Sequence, residues 1–241
     1  NVPAWSVFVI LEEKNTMESV LDRVIKQNTE NVNLLKTKDY NIFSVLQIQS
    51  KEVLICRMIA DLLNPRGQHG ARAEYLKIFL RDCLGMEKMD TKLADQAIVT
   101  AEYAIDDERR IDIVIEIGSH FLPIEVKIYA ADQKSQCFDY YQYAKRRDAQ
   151  AKVYYLTLDG HRPGKDSTSS GSQSVPEEDI VCLSFREHIL NWLKACKNCG
   201  NTGMIPILEQ FIRNIEQISG YTSERVRSMV IDELLTSGDS L

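Results

Sequence analysis

The run Arg109-Arg110-Ile111-Asp112-Ile113-Val114-Ile115 is followed closely by Ile124-Glu125-Val126-Lys127-Ile128. Both runs alternate, and a strand turns successive side chains to opposite faces. Ile111, Ile113 and Ile115 then share one face with Asp112 on the other, and Ile124, Val126 and Ile128 share one face with Glu125 and Lys127 on the other. Gly118-Ser119-His120 is short enough to close a hairpin between them. Two carboxylates with an ammonium beside them can hold a hard divalent cation, activate a water and stabilise charge on a phosphate. That is the minimal equipment for cutting a phosphodiester. The plain alternative is an amphipathic hairpin whose polar face meets water.

Other residues could extend this group. Glu52 has Ile55, Cys56, Ile59 and Leu63 at helical spacing behind it. An acid on an apolar stripe is costly without a partner, so Glu52 is expected either to reach the carboxylate cluster or to sit half-exposed at a helix start, where the dipole favours it. Glu102, in Thr100-Ala101-Glu102-Tyr103, reads equally as an outer ligand or a solvent-facing strand acid. His69 lies in a turn-rich loop, where a lone His is more often a structural hydrogen-bond partner. Cys196-Lys197-Asn198-Cys199 is a C-x-x-C pair without the further ligands that zinc or an iron–sulfur cluster needs.

Downstream of the second strand stand Gln133 and then Gln136-Cys137-Phe138-Asp139-Tyr140, with Gln136 and Tyr140 one helical turn apart. Asp112, Glu125-x-Lys127 and Gln136-x-x-x-Tyr140 together resemble the PD-(D/E)xK nuclease superfamily, and the Gln-x-x-x-Tyr element resembles its RecB-like branch. Ile111 stands where a Pro often precedes the Asp. A wider pattern resembles an uncharacterised bacterial family of that superfamily: Leu62-Leu63-Asn64-Pro65 with His69-Gly70, Tyr155 to Gly160, and Leu183-Ser184 with Trp192-Leu193. The likeness covers roughly Ile48 to Leu193.

The resemblance implies a restriction-endonuclease-like α/β fold, a mixed sheet flanked by helices, with extra N- and C-terminal helices. It implies a metal-dependent nuclease acting on DNA, with Mg²⁺ or Mn²⁺ held by Asp112, Glu125, Glu52 and the Val126 carbonyl. Lys127 would orient the water and stabilise transition-state charge rather than abstract a proton. Gln136, Tyr140, Gln133 and Arg109 would contact nucleic acid or orient the site. A catalytically silent nucleic-acid-binding or assembly domain on the same fold is one rival reading, a redox or metal-sensing protein built on Cys196 and Cys199 is a second, and an RNA substrate for the same chemistry is a third possibility.

The elements must bring these residues together. Helices are expected over Thr16 to Lys36, Lys51 to Leu63 with Ser50 as N-cap, and Arg72 to Leu84 ending at Gly85. Strands follow over Ala97 to Ile105, Arg110 to Ile117 and Phe121 to Tyr129. A helix over Asp132 to Asp148 and a strand over Val153 to Leu158 come next. Asp159 to Pro176 is polar and rich in Gly, Ser and Pro, hence a mobile loop. After a short strand over Ile180 to Leu183, Ser184-Phe185-Arg186-Glu187 is a capping box opening a helix through Lys194. Helices over Ile205 to Ile218 and Ser223 to Leu235 close the chain. The expected organisation is a helical extension (1–47), a core (48–195) and C-terminal helices (196–241), all one domain.

The chain has 241 residues, 44% of them hydrophobic, and a formal net charge of −6, which describes a globular protein and excludes one that coats nucleic acid electrostatically. Lys134, Lys145, Arg146, Arg147 and Lys152 form a local basic cluster, either a substrate surface or a solvated helix face. No apolar run reaches membrane-spanning length, and no membrane partner is expected. The opening residues lack a basic region and a cleavage site, so no signal peptide is expected, and the missing Met fits a trimmed or processed start. Six scattered cysteines give no disulfide framework, and a reducing cytoplasm is the expected compartment.

Overall fold

The computed structural model describes Lys26 and residues 40–87, 90–199 and 201–220. The chain divides into two compact units, and apart from Lys26 and Tyr40 the described residues fall in the unit Asn41–Tyr221. The helix expected over Ser223 to Leu235 lies outside the described residues. So does the one expected over Thr16 to Lys36, except for Lys26, which is helical.

Seven strands are described: β1 (Ile98–Ala104), β2 (Arg110–Ile117), β3 (His120–Lys127), β4 (Val153–Thr157), β5 (Ser169–Ser170), β6 (Gln173–Ser174) and β7 (Ile180–Ser184). The main sheet has the order β1-β2-β3-β4-β7. Its first three strands form an antiparallel meander, and β4 and β7 join parallel to β3. A parallel neighbour requires a crossover. The helix between β3 and β4 supplies it.

The helices are α1 (Ile42–Val45), α2 (Glu52–Leu63), α3 (Glu74–Asp82), α4 (Thr91–Asp95), α5 (Gln136–Arg147), α6 (Lys165–Thr168), α7 (Leu190–Cys199) and α8 (Ile205–Ile218). One face of the sheet presents Ile113, Ile115, Ile117, Leu122, Ile124, Val126 and Ile128 to a core shared with α2, α3, α7 and α8. The other presents Ile111, Val114, Phe121, Val153 and Tyr155 to Cys137, Tyr140 and Ala144 of α5. This is a three-layer α/β sandwich.

Several boundaries differ from the sequence expectation, each for a local reason. Lys51, not Ser50, is the N-cap of α2, and no side chain caps it. The Lys51 carbonyl already accepts the N–H groups of Leu54 and Ile55. Arg72 adopts a left-handed φ of 52°, so α3 starts only at Glu74. Its end follows the expected glycine stop: Gly85 has φ 67° and the Met86 N–H returns to the Leu80 carbonyl. Ser135 is also left-handed, at φ 57°, which delays α5 to Gln136. The capping box is half formed. Ser184 Oγ accepts the Glu187 N–H at 3.1 Å, but His188 Nδ1 takes the Ser184 N–H. The helix therefore opens with a π turn over Phe185–Ile189 and runs on to Cys199.

The segment from Asp159 to Pro176 is not the open loop its composition announces. It contains α6 and the β5–β6 hairpin, and it buries Ser167 and Val175. Its anchors are distant in sequence. Asp132 accepts the Gly164 N–H at 2.7 Å, Ser135 donates to the Asp166 carbonyl, and the Cys137 N–H donates to Ser167 Oγ.

Candidate active site

The β2–β3 ladder runs from Ile117↔His120 to Ile113↔Ile124 and stops there. Asp112 is next in register, opposite Glu125, and directly opposed residues of antiparallel strands point to one face. Beyond this point β2 leaves β3, and the N–H groups on that edge of β3 need other acceptors. Asp112 Oδ2 accepts the Val126 N–H at 2.8 Å. One pleat further on, Glu52 Oε2 accepts the Ile128 N–H at 2.8 Å. Two carboxylates thus stand where the departing strand's carbonyls would have been. Glu52 reaches this edge from the first turn of α2, and its hydrogen bond supplies the partner that the apolar stripe requires.

The alternation expected along β2 fails at this fork. Ile113 and Ile115 pack into the larger core, whereas Ile111 lies in the α5-side cluster with Val114. The reversal falls at Asp112. β1 reverses opposite it, with Val99 and Ala101 on the larger core and Tyr103 and Ile105 on the α5 side. The pairs Ala101↔Ile113 and Tyr103↔Ile111 flank an unpaired Glu102 and Asp112. Glu102 has φ 53°, the left-handed conformation that lets a strand turn its faces over. Along β3 the expected alternation holds: Ile124, Val126 and Ile128 all enter the larger core.

Glu125 and Lys127 are buried, at 1% and 7% exposure. Lys127 Nζ stands 2.5 Å from Glu125 Oε1. Its approach makes an ion pair without hydrogen-bond alignment, so both Glu125 oxygens are buried and accept no hydrogen bond among the described residues. Burial, then the facing Asp112 carboxylate, pushes the Glu125 carboxyl well above its ordinary range, against the pull of Lys127. Burial also raises Asp112, against the Val126 N–H and Lys127. For Lys127 burial works downward, but the charges of Glu125, Asp112 and Glu52 outweigh it and hold the ammonium above its ordinary value.

Two facing carboxylates without a donor between them need a proton or a cation. Folding holds both carboxyls above their free values, so the folded chain keeps protons that the unfolded chain has released. Stability of the metal-free protein must therefore fall as pH rises from the ordinary carboxylate range through the raised values. Asp112→Asn, whose amide can donate to Glu125 while the Glu125–Lys127 pair stays intact, should stabilise the metal-free protein at pH 8 by about 1–2 kcal/mol, or roughly 2–8 °C. The gain should shrink toward pH 5. Melting curves in EDTA at both pH values check this, and an equal or lower melting temperature for the variant at pH 8 would refute it.

Gln136 and Tyr140, expected at the nucleic-acid backbone, are both buried. Gln136 Nε2 donates to Tyr140 Oη at 3.1 Å, and Tyr140 Oη donates to the Arg110 carbonyl at 2.5 Å. The pair therefore ties α5 to the strand just ahead of Asp112. Burial, and next the Glu125 charge, pushes the Tyr140 phenol up, which keeps it a donor. Arg109 spends its fork on the segment before and within α5. Nε donates to Asp139, Nη1 to Gln133 Oε1 and Nη2 to the Lys134 carbonyl.

The other candidates divide. Glu102 pairs with Arg57 at 2.6 Å. His69 is buried and structural: Nδ1 accepts the Ala71 N–H, so Nε2 donates to the Asn64 carbonyl, and the ring stacks on Tyr75. All six cysteines are free thiols, with Cys196 buried and Cys199 exposed. In the basic cluster, Arg147 is spent on Glu116 and two tyrosine hydroxyls, and Lys145 on Asp179.

Sequence reasoning missed Arg57 and Cys56. Cys56 is buried one turn beyond Glu52, and after burial the charges of Asp112, Glu52 and Glu125 push its thiol up, which places it behind the carboxylates. Its spacing of four from Glu52 was the available signal.

Among the described residues no group of three or more His, Cys, Asp and Glu forms a ready-made metal cage. Mg²⁺ asks for less, one or two carboxylates with water and substrate oxygens completing the shell. The donor set fits that demand: Glu125 has two buried oxygens, of which only Oε1 is paired, with Lys127. Asp112 and Glu52 each spend one oxygen on β3. A strand residue's N–H and C=O face one edge, which puts the Val126 carbonyl on the Asp112 side.

A family model of the PD-(D/E)XK nuclease superfamily matches residues 40–214, extending beyond the Ile48 to Leu193 likeness at both ends. No curated protein and no solved structure matches the chain. No described helix is long and apolar enough to cross a membrane.

Proposed function

Because the chain belongs to the PD-(D/E)XK nuclease superfamily, whose members are typically nucleases that use divalent metals, we propose that it hydrolyses phosphodiester bonds in DNA with Mg²⁺ or Mn²⁺. The observation that carries this reading is the pairing of half-buried Asp112 with buried Glu125, two facing carboxylates with no donor between them and the Lys127 ammonium beside Glu125. A binding module has no use for that costly arrangement.

Asp112, Glu125, Glu52 and the Val126 carbonyl would hold the ion. When bound, it supplies a water of lowered pKa and neutralises charge on the scissile phosphate. Lys127 keeps its proton, so it serves as a donor and a fixed charge. It orients the attacking water and meets the charge that builds on the phosphate. Gln136 and Tyr140 act at one remove, holding β2 through the Arg110 carbonyl so that Asp112 stays in the fork. Arg109, through Gln133 and Asp139, holds the start of α5 in the same way.

The test is incubation with plasmid, linear duplex and single-stranded DNA, and with RNA, in Mg²⁺, Mn²⁺, Ca²⁺ or EDTA. Cutting of DNA is expected with Mg²⁺ or Mn²⁺ and not in EDTA. Ca²⁺ should bind without supporting turnover, because its looser coordination holds the water less rigidly. Cutting in EDTA would refute the metal requirement, and cutting of RNA alone would move the substrate. No cutting with any ion would favour the silent-domain reading.

A further inference from the structure

We propose that Arg57 is the cation that binds a substrate phosphate at this cleft, and that Glu102 holds its guanidinium ready until the nucleic-acid strand arrives; this rests on the nuclease reading above. The site gathers acids, Asp112, Glu125 and Glu52 on the β3 edge with Glu102 opposite Asp112 in the β1–β2 register, in a chain of net charge −6. A polyanion approaching it needs a positive contact besides the ion. Lys127 is buried and already paired with Glu125. Arg109 and Arg147 are engaged elsewhere, on the start of α5 and on Glu116.

Arg57 is placed differently. It follows Cys56 on α2, and the Cys56 thiol feels the charges of Asp112, Glu52, Glu125 and Glu102 together. Its side chain is 57% exposed. Nε and Nη2 both donate to one oxygen, Glu102 Oε2. That is an end-on grip, not the two-oxygen fork that makes an Arg–carboxylate pair strong. A phosphodiester offers two non-bridging oxygens to the same fork and can displace it.

Glu102 is held where it is at a cost. It is left-handed, at φ 53°, in an extended strand, where a non-glycine residue is strained. An exposed ion pair returns less than such strain takes, so the pair is not explained as a stabilising bridge. Strain of this kind persists where a site needs it. Glu102 is the residue opposite Asp112 in the β1–β2 register, so the strained residue places an arginine partner beside the carboxylate fork.

The experiment measures binding of a fluorescent DNA duplex and a fluorescent single strand by anisotropy, in Ca²⁺ and across a salt series, alongside steady-state cleavage in Mg²⁺. Arg57→Ala should weaken binding about tenfold at low salt and reduce the slope of log affinity against log salt by about one. Its cleavage defect should fall on KM more than on kcat, and Arg57→Lys should restore part of the affinity. Glu102→Gln should tighten binding by freeing the guanidinium. Glu102→Gly, which relieves the backbone, should do the same without loss of melting temperature.

Unchanged affinity and salt slope in Arg57→Ala would overturn the proposal. So would Glu102 variants that bind DNA more weakly or demand more Mg²⁺, the mark of a metal-holding acid. A wild type that binds in this Arg57-dependent way but cuts nothing would sink the nuclease reading and leave the Arg57 assignment standing. A wild type that cuts normally, with Arg57→Ala indistinguishable from it, would do the reverse.

Discussion

Asp112→Asn is expected to give a folded protein that no longer hydrolyses nucleic acid. The asparagine oxygen can still accept the Val126 N–H that Asp112 Oδ2 accepts now, and its amide can donate to the orphaned oxygens of Glu125. Removing the Asp112 charge also relieves, after burial, the second cause that pushes the Glu125 carboxyl up. The variant should therefore melt no lower than wild type in EDTA. The ion, by contrast, loses one of its anionic donors. With it go water activation and charge neutralisation on the phosphate, on the order of 4 kcal/mol or more of transition-state stabilisation, about a thousandfold in rate. Melting curves with and without Mg²⁺ and a cleavage assay on matched preparations read the two halves separately. Equal activity of wild type and variant would place the chemistry elsewhere or in a contaminant.

Lys127→Ala should fail differently. The ammonium acts mainly on charge that appears in the transition state, so its loss should cost about a hundredfold to a thousandfold in kcat while KM changes little. The buried ion pair adds a consequence for stability. Removing Lys127 leaves Glu125 buried without its counter-ion, and a broken buried pair costs about 3–5 kcal/mol. The metal-free variant should melt well below wild type, and Mg²⁺ should recover much of the loss, because a ligand that binds only the folded state stabilises it by mass action. A Mg²⁺ titration of the melting temperature separates this from simple misfolding. A variant that cuts at wild-type rates would remove Lys127 from the mechanism.

Much of this protein is legible in its sequence because much of its patterning is local. The period of two along β3 sorts Ile124, Val126 and Ile128 from Glu125 and Lys127. The helical period finds α8 from Ile205 to Ile218 to the residue. The glycine at 85 ends α3, and the short link after β2 closes the expected hairpin. The spacing of Asp112, Glu125, Lys127, Gln136 and Tyr140 gives the superfamily that the match over residues 40–214 shows.

What the tertiary structure alone decided depends on partners far apart in the chain. The expected face for Ile111 was wrong because β2 turns over at Asp112, where a carboxylate takes a β3 N–H 14 residues away. Gln136 and Tyr140 point inward because the Arg110 carbonyl, 30 residues from Tyr140, loses its place in a regular ladder and needs a donor. The polar stretch after Asp159 is ordered by Asp132 and Ser135, which precede it by some 30 residues. Glu102 and Arg57 meet across 45 residues. Periodicity reports which face a side chain prefers when its strand or helix is regular. It carries no information about where a ladder must break, and the break at Asp112 is where the candidate site is assembled.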